Sequence, residues 1–563
     1  MSLTSIINIA TSGVLAQQRA IGATSENIAN LTTPNFARRE VSFRADPVIS
    51  QLSGVQAQIA RDAGNSFLQS AFAAATSDSA SLETRSAALN RIVSTLGEFG
   101  DDLSFADRAS AATAAFARLG ANPASPAARA EALSALDQTL SAFGRTRSAI
   151  NFETQQASQR LDTDIVEAND ILARIRRLNQ QLGNGQSPGG IADQLSVEVS
   201  TLGTLINITV SRDDLGRAIL TGPGGVALAD AAGAARLSRT DGPTPQILVS
   251  PVSTTPATPP ENGDGGTTDI TSFIAGGSIG GALSLLTDDL PALQTLIDGA
   301  ETNFVSALNG AVAGNVSIPA GDLVGTLALT DADIAGFSGT SVLAVLGTDG
   351  QLLNTLLIDF STNQLSFDGG APVAFTPTLD GLSSAINGTS GGALAVSISG
   401  EAVSFAAAGG AGVAIANDSA GLAARAGFNP LIVADGQTAT GLRVVPENLR
   451  LGRLDLAGAT IGSVVTGTDD GRGANALFAA GRGEATSLAN ALGSIGAAAN
   501  AIGDDAAIAA ALTQSLEVQN LSENGINLEE ELSNLILFQQ AFNANARVIA
   551  AADELYESIL ALI

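Results

Sequence analysis

The sequence predicts a multidomain α+β protein: an α-helical coiled-coil stem built from both chain termini, with inserted β-rich domains. Three observations predict it. Apolar residues recur at heptad spacing over 3–31 and again over 528–563. Strand-like runs separated by Gly and Pro turns are confined to the middle of the chain. Finally, 563 residues exceed what one hydrophobic core organises, so the pattern must be divided among domains.

The first helix is predicted over residues 3–31. Leu3, Ile7, Ala10, Val14, Gln17, Ile21, Thr24, Ile28 and Leu31 follow alternating steps of four and three, a seam with three small or polar members. TTPNF ends it, because Pro34 disfavours helix at Thr33 and Asn35 tolerates a left-handed turn. The RREVSF segment beyond it alternates as a strand does. From about Ala63 to Leu205 the period is helical again. Its longest run, Pro126 to Leu182, puts Leu136, Leu140, Phe143, Ile150, Ala157, Leu161, Ala168, Ile171, Ile175, Leu178 and Leu182 on one stripe. Such a helix spans roughly 85 Å, and a stripe that narrow needs other helices beside it.

The character changes at Ile206. NITVSRDDLGRAILTGPGGVALAD reads as short strands with Gly turns, and 241–269, rich in Pro, Gly and Thr, reads as a linker. A helix is expected over 280–309. Strand-like runs such as TLLIDF, ALAVSISG and EAVSFAAA follow from Val316 to about Val445, with a short helix near LDGLSSAIN. After Gly473 the chain returns to Ala-rich helix through Ile563. The expected domains are 1–60, an N-terminal assembly helix with an extended segment; 61–205, the first part of a helical stem; and 206–275, a small β-rich domain with a Pro/Gly linker. Beyond these come 276–315, a mid-chain helix; 316–450, a variable β-rich insert; 451–520, the return to the stem; and 521–563, a C-terminal assembly helix.

Composition limits the chemistry. Net charge is −28, with 55 acidic residues against 27 basic ones, all of them Arg. No basic residue lies between Asp241 and Ala424, so that stretch is repelled by nucleic acid and by anionic lipid, and no nucleic-acid partner is expected. Without His there is no imidazole base or His metal ligand; without Cys there is no thiolate nucleophile, disulfide or zinc–thiolate site. The missing Lys removes a Walker A lysine and any Schiff base. Catalysis could still use carboxylates, Ser, Thr, Arg or the single Tyr556, but the expectation is a non-enzyme with no cofactor and no metal. The N-terminus lacks a basic n-region and an apolar h-region, so no cleaved secretory signal is expected. No stretch approaches eighteen apolar residues free of polar ones, so no membrane insertion is expected either.

The chain's last element carries its own seam: Leu528, Leu535, Phe538, Phe542, Ile549, Ala552, Tyr556, Ile559 and Ile563, interrupted by Glu531 and Asn545. Helix is expected to begin near Asn527, which caps LEEE. The plain reading is an amphipathic helix folded onto its own domain. The matching seam in the first thirty residues favours a second one. The two ends pair, and apolar flanks such as Ile6, Leu15, Leu532 and Leu560 remain for neighbouring subunits. Each fully buried Leu, Ile or Phe contributes about 1.5–3 kcal/mol, so a few per subunit couple folding of the ends to polymerisation.

At this point the residues carry a resemblance. SENIANLTTPNFARR (Ser25 to Arg39) resembles the N-terminal pattern of flagellar rod, hook and hook-associated axial proteins, and NGINLEEELSNLILFQQAFNANARVIAAADELYESIL resembles the matching C-terminal end. Within that superfamily, NLEEELSNLILFQQAFNANARVI is most similar to the hook-associated proteins of the hook–filament junction, the FlgK family. NSFLQSAFAAATSDSASLETRSAALNRI, FARLGANPASPAARAEAL with Asn122, Pro123 and Arg129, and GGSIGGALSLLTDDLPALQTLIDGAETNFVSALN ending in Asn309 resemble its internal helical segments. Three departures stand out: Asn35 replaces the usual Gly, Glu26 a common Asn, and ADQLSVE at Asp193 the usual DQRD.

The resemblance implies a structural protein outside the bacterial cell, exported through the flagellar type III apparatus without a cleaved signal and polymerised at the distal end of the hook. Its implied partners are copies of itself, hook protein, a second hook-associated junction protein, and an export chaperone on the C-terminal helix. The implied assembly interface comprises Leu3, Ile7, Val14, Ile21, Ile28, Asn30, Phe36, Leu528, Leu535, Phe538, Phe542, Ile549, Tyr556, Ile559 and Ile563. Rival readings are a hook or distal-rod subunit, a secreted carboxylate-dependent hydrolase, and a surface-binding adhesin using the acidic β insert. The paired acids at Asp101-Asp102, Asp213-Asp214, Asp288-Asp289, Asp469-Asp470 and Asp504-Asp505 read as caps and solvated turns, since adjacent residues do not share a helix face.

Overall fold

A computed structural model describes residues 3–31, 33, 36–46, 54–61, 66–97, 103–184, 188–231, 233–242, 244–253, 266–435 and 441–560. Helix α1 (Leu3–Ala29) is followed by an antiparallel pair, β1 (Arg39–Asp46) and β2 (Gly54–Arg61), in which Val41 lies opposite Ile59. Four helices come next: α2 (Ser66–Leu96), α3 (Phe105–Ala121), α4 (Pro126–Gly183) and α5 (Pro188–Leu205). The Ser104 hydroxyl caps α3 by accepting the Asp107 amide at 3.1 Å. Helix α4 opens on Pro126, whose missing N–H costs nothing in a first turn, and Ser125 caps the Ala128 amide. The stripe expected along α4 is buried throughout, except that Leu178 is half-buried.

Two small antiparallel sheets follow, β3 (Thr209–Arg212) with β4 (Ala218–Thr221) and β5 (Ala227–Ala229), then β6 (Leu237–Arg239) with β7 (Ile247–Val249) and β8 (Thr268–Asp269). Strand β7 falls where composition predicts a linker. Ile247 and Val249 are both buried, and that burial overrides the surrounding Pro, Gly and Thr. Helix α6 (Gly277–Ser284) runs through a π-helical turn at Leu285–Asp289 into α7 (Leu290–Ala313).

The β-rich stretch comprises β9 (Asn315–Val316), β10 (Leu323–Val324), α8 (Asp331–Gly336), β11 (Thr340–Leu346), β12 (Leu352–Asp359), β13 (Gln364–Phe367), β14 (Val373–Ala374), α9 (Leu379–Thr389), β15 (Leu394–Ser399), β16 (Ala402–Ala407), β17 (Gly412–Ala416), α10 (Leu422–Ala426), β18 (Ile432–Ala434), β19 (Leu442–Val444) and β20 (Gly452–Arg453). Its main sheet runs β14-β13-β12-β11-β17 and a second runs β10-β16-β15. Leu343, Leu356, Ile358, Phe405 and Phe428 belong to their shared core. Two helices close the chain, α11 (Arg472–Asn524) and α12 (Leu528–Leu560). The helical stretch expected after Gly473 breaks at 525–527, where a new helix is expected to start near Asn527. The Asn527 side chain restarts it by accepting the Glu529 amide at 3.0 Å, ahead of three glutamates in the first turn.

The chain folds as two compact units. One comprises Met1–Ala88, Thr154–Asp289 and Asn500–Ile563; the other comprises Leu89–Glu153 and Leu290–Ala499. In the second unit Phe105 stacks on Phe143 at 4.9 Å, and Phe143 meets Phe304 at 6.3 Å, joining α3, α4 and α7. Arg91 forks onto Glu153 at 2.9 and 2.8 Å, and Arg147 joins Asp298 and Glu301.

Both units fasten strands to helices in the same way. A helical Asn side chain accepts the N–H and donates to the C=O of one strand residue, as a neighbouring strand would. In the first unit the pairs are Asn27 with Arg39, Asn169 with Leu237 and Asn179 with Ala218. In the second they are Asn309 with Ile432 and Asn387 with Val396.

Candidate functional site

Helices α1 and α12 pack against each other in opposite directions. Near one end the Asn27 amide donates to Glu531 Oε2 at 3.1 Å. Toward the other, a Cβ built on Gly13 would lie 2.8 Å from the Asn545 side chain. Buried on α1 are Ser5, Ala10, Gly13, Ala16, Ala20, Ala23, Thr24 and Asn27. The bulky residues of the expected seam, Leu3, Ile7, Val14, Ile21 and Ile28, are only half-buried. This corrects the heptad reading of α1. Small side chains let two helices approach closely, so Ala and Gly take the centre and the larger residues flank it.

On α12, Leu535, Phe538, Phe542 and Ile549 are half-buried, whereas Leu528, Tyr556 and Ile559 are exposed. Ile563 lies outside the described residues. Phe538 meets Phe43 of β1 edge-on at 5.8 Å. The two interruptions of the expected seam prove central: Glu531 is 2% exposed and Asn545 faces Gly13. Asn30 is half-buried and donates to the Glu26 carbonyl at 2.9 Å; Phe36 lies under the Arg39 guanidinium at 5.0 Å.

Four motifs scattered along the chain converge on one polar cluster. Glu531 accepts from Arg38 Nε at 2.8 Å as well as from Asn27, and Arg38 also reaches Glu530 at 2.6 Å. Asn27 holds the Arg39 main chain, and the Arg39 guanidinium pairs with Asp193 of α5. Hydrogen bonding to Glu530 leads the causes that raise the Arg38 pKa, against burial, so its charge is secure. SENIANLTTPNFARR, ADQLSVE and NLEEE stand far apart in the sequence. Nothing in their spacing shows that they meet; the available signal is a Glu, Glu531, on a seam whose other interruption is the uncharged Asn545.

A broad apolar surface is left uncovered. Leu15, Leu532, Ile536, Leu537, Val548 and Leu555 are all more than two-fifths exposed, as are Ile508, Leu512, Val518 and Leu521 of α11. By length and composition alone, part of Arg472–Ile559 is long and apolar enough to cross a membrane; the averaged hydropathy of an Ala-rich run passes where a search for unbroken apolar residues does not. Among the described residues no group of three or more His, Cys, Asp or Glu is arranged to hold a metal. Two of the acid pairs sit in turns and caps: Asp213 accepts the Leu215 and Arg217 amides, and Asp470 accepts the Arg472 amide at the start of α11. Asp288-Asp289 lies in the π-helical turn and Asp504-Asp505 inside α11, contrary to the expectation, and Asp101-Asp102 lies outside the described residues.

Comparison with known proteins bears on this arrangement. The family model for the flagellar hook-associated protein FlgK helical domain matches residues 89–326, and that for the flagellar basal body rod FlgEFG protein C-terminal region matches 518–562. Flagellar hook-associated protein 1 of Escherichia coli is 24% identical over 593 aligned positions, covering 99% of this chain and 100% of the relative. The Salmonella typhimurium protein of the same name is 23% identical over 592, with the same coverage. The Bacillus subtilis one is 23% identical over 217, covering 36% and 43%. The solved flagellar hook junction protein FlgK from Burkholderia pseudomallei aligns at 16% identity and a TM-score of 0.44, covering 80% of this chain and 99% of that one. The last helix lies within the region that is similar to the C-terminal part of flagellar rod proteins, and it is the helix that pairs with α1. Residues 89–326 are thus similar to the FlgK helical domain, and the whole chain aligns with flagellar hook-associated proteins.

Proposed function

We propose that this protein is a structural subunit of the flagellum that assembles at the distal end of the hook and joins hook to filament. The observation that carries this reading is the pairing of the two chain ends, in a chain aligned over its full length with hook-associated proteins. The pair leaves apolar side chains uncovered on both helices, and burying a Leu or Ile fully is worth about 1.5–3 kcal/mol. Neighbouring copies cover that surface in the assembly, with Leu3, Ile7, Val14, Ile21, Ile28, Leu535, Phe538, Phe542 and Ile549 at the margins of the pair and Leu528, Tyr556 and Ile559 facing outward. Hook protein and a second hook-associated protein adjoin the subunit on either side, and an export chaperone covers α12 before assembly. The protein works outside the cell, reached by flagellar export.

Truncation before Leu528 tests this. Cells carrying it are expected to show bare hooks under the microscope and to release unpolymerised filament protein. Normal filaments on intact hooks would refute the assembly reading.

A further inference from the structure

The seam between α1 and α12 is made mostly of residues that do not specify an alignment. Small side chains repeat along α1 from Ala10 to Ala23, and half-buried apolar ones repeat along α12. Sliding one helix along the other by a heptad, roughly 10 Å, sets each alanine against another apolar neighbour at little cost.

Two contacts, one of packing and one polar, remove that freedom. Asn545 occupies the space over Gly13, and Glu531, 2% exposed, receives Asn27 at 3.1 Å and Arg38 Nε at 2.8 Å. The contacts are fourteen residues, two heptads, apart on each helix, so one alignment satisfies both. A slip of α12 toward the start of α1 would bury the Glu531 carboxylate beside Ala20 without a donor, a far greater penalty than moving any alanine. Asn27 is in turn fixed from outside the seam by the Arg39 main chain, and Arg38 also pairs with Glu530, beside Glu531 on α12.

We propose that Glu531, held by Asn27 and Arg38, is the register key of the α1–α12 pair: it permits one alignment of a seam that could otherwise slip, and thereby fixes which apolar side chains of α12 face outward. The consequence for assembly rests on the function proposed above; the alignment itself does not.

The chain has no cysteine, so introduced pairs report alignment by oxidative cross-linking of the purified protein. With Glu531 intact, Gly13→Cys with Asn545→Cys should cross-link at least about tenfold more than Gly13→Cys with Phe538→Cys or with Ala552→Cys, the two one-heptad slips. Adding Glu531→Leu should bring the three pairs to within about threefold, with helix content by circular dichroism unchanged. A preference for the 13–545 pair that survives Glu531→Leu overturns the proposal. If that variant loses helix, Arg38→Ala, which leaves the Asn27 bond in place, is read by the same criterion. Loss of helix in both variants also overturns it, because a residue needed only for folding sets no register. Filament attachment in cells carrying Glu531→Leu is scored separately: shifted cross-links with normal filaments would support the register key and count against the assembly role of the pair.

Discussion

Arg is the sole side-chain cation of this protein, and its planar fork shapes most of the charged contacts. Arg85 forks onto Asp289 at 2.8 and 2.9 Å, Arg91 onto Glu153, and Arg425 onto Asp333 at 3.0 and 2.7 Å. Asp470 makes the sharpest case. Burial favours its protonated form, but bonds from the Arg472 side chain and from the Arg472 and Arg453 amides outweigh this and hold its pKa at about 2, below the ordinary 3.8. A carboxylate depressed in the folded state contributes stability that is present above its unfolded pKa and lost as pH falls through the folded one. Asp470→Asn is therefore expected to be less stable than the parent near neutral pH. The gap should narrow between about pH 4 and pH 2 in denaturant titrations; a gap that does not change with pH would show that the contact does not depend on charge. The acid pairs at Asp213 and Asp470 were legible in sequence as a turn and a cap; Asp504-Asp505, inside α11, was not. The Asn27–Arg38–Glu531 cluster was not, because residues as distant as 27 and 531 meet only through tertiary packing.

At the scale of elements, local periodicity carried most of the information. The Pro126 boundary, the α4 stripe and the Asn527 cap could all be read from neighbouring residues. Strand β7 could not, since three residues of ILV inside a Pro/Gly-rich stretch acquire a partner only in the fold. The glycines of GGSIGG were legible as a motif and not as a mechanism. Gly277 has φ 74°, and a Cβ there would come 2.2 Å from the Leu205 carbonyl oxygen; one on Gly281 would come 2.5 Å from the Ser81 carbonyl oxygen. Helix α6 thus touches the backbone of α2 and the end of α5 directly. Gly277→Ala is expected to cost about 2–4 kcal/mol in unfolding measurements, from the left-handed φ and the backbone clash together. Gly299→Ala on α7, with open space around it, should be neutral or stabilising by up to about 1 kcal/mol. Equal effects of the two substitutions would refute the close-approach account of α6.

The whole molecule is a chain whose ends fold together while its acidic middle is inserted between them, and that order was visible in the sequence as helix, β, helix. The relation of the insert to the helical framework is a structural finding. The segments leading into and out of it run side by side: the Asn429 amide donates to the Val324 carbonyl at 2.9 Å, its side chain accepts the Val324 amide at 3.2 Å and donates to the Asp322 carbonyl at 3.1 Å, and Gly325 bridges Phe428. A junction of this kind can be closed with a short linker, because the ends are already adjacent and loop-closure entropy grows only slowly with length. Replacing 326–427 by a short Gly/Ser linker, with Leu323 and Phe428 changed to Ser where their core is removed, should therefore leave the helical parts folded. If the paired termini build the junction, cells carrying this variant should bear filaments in parental number. Bare hooks from a variant that is still exported and still helical would instead assign the insert a part in joining hook to filament. Parental filament numbers combined with lost attachment of cells to a surface would assign it to adhesion, leaving assembly to the chain's two ends.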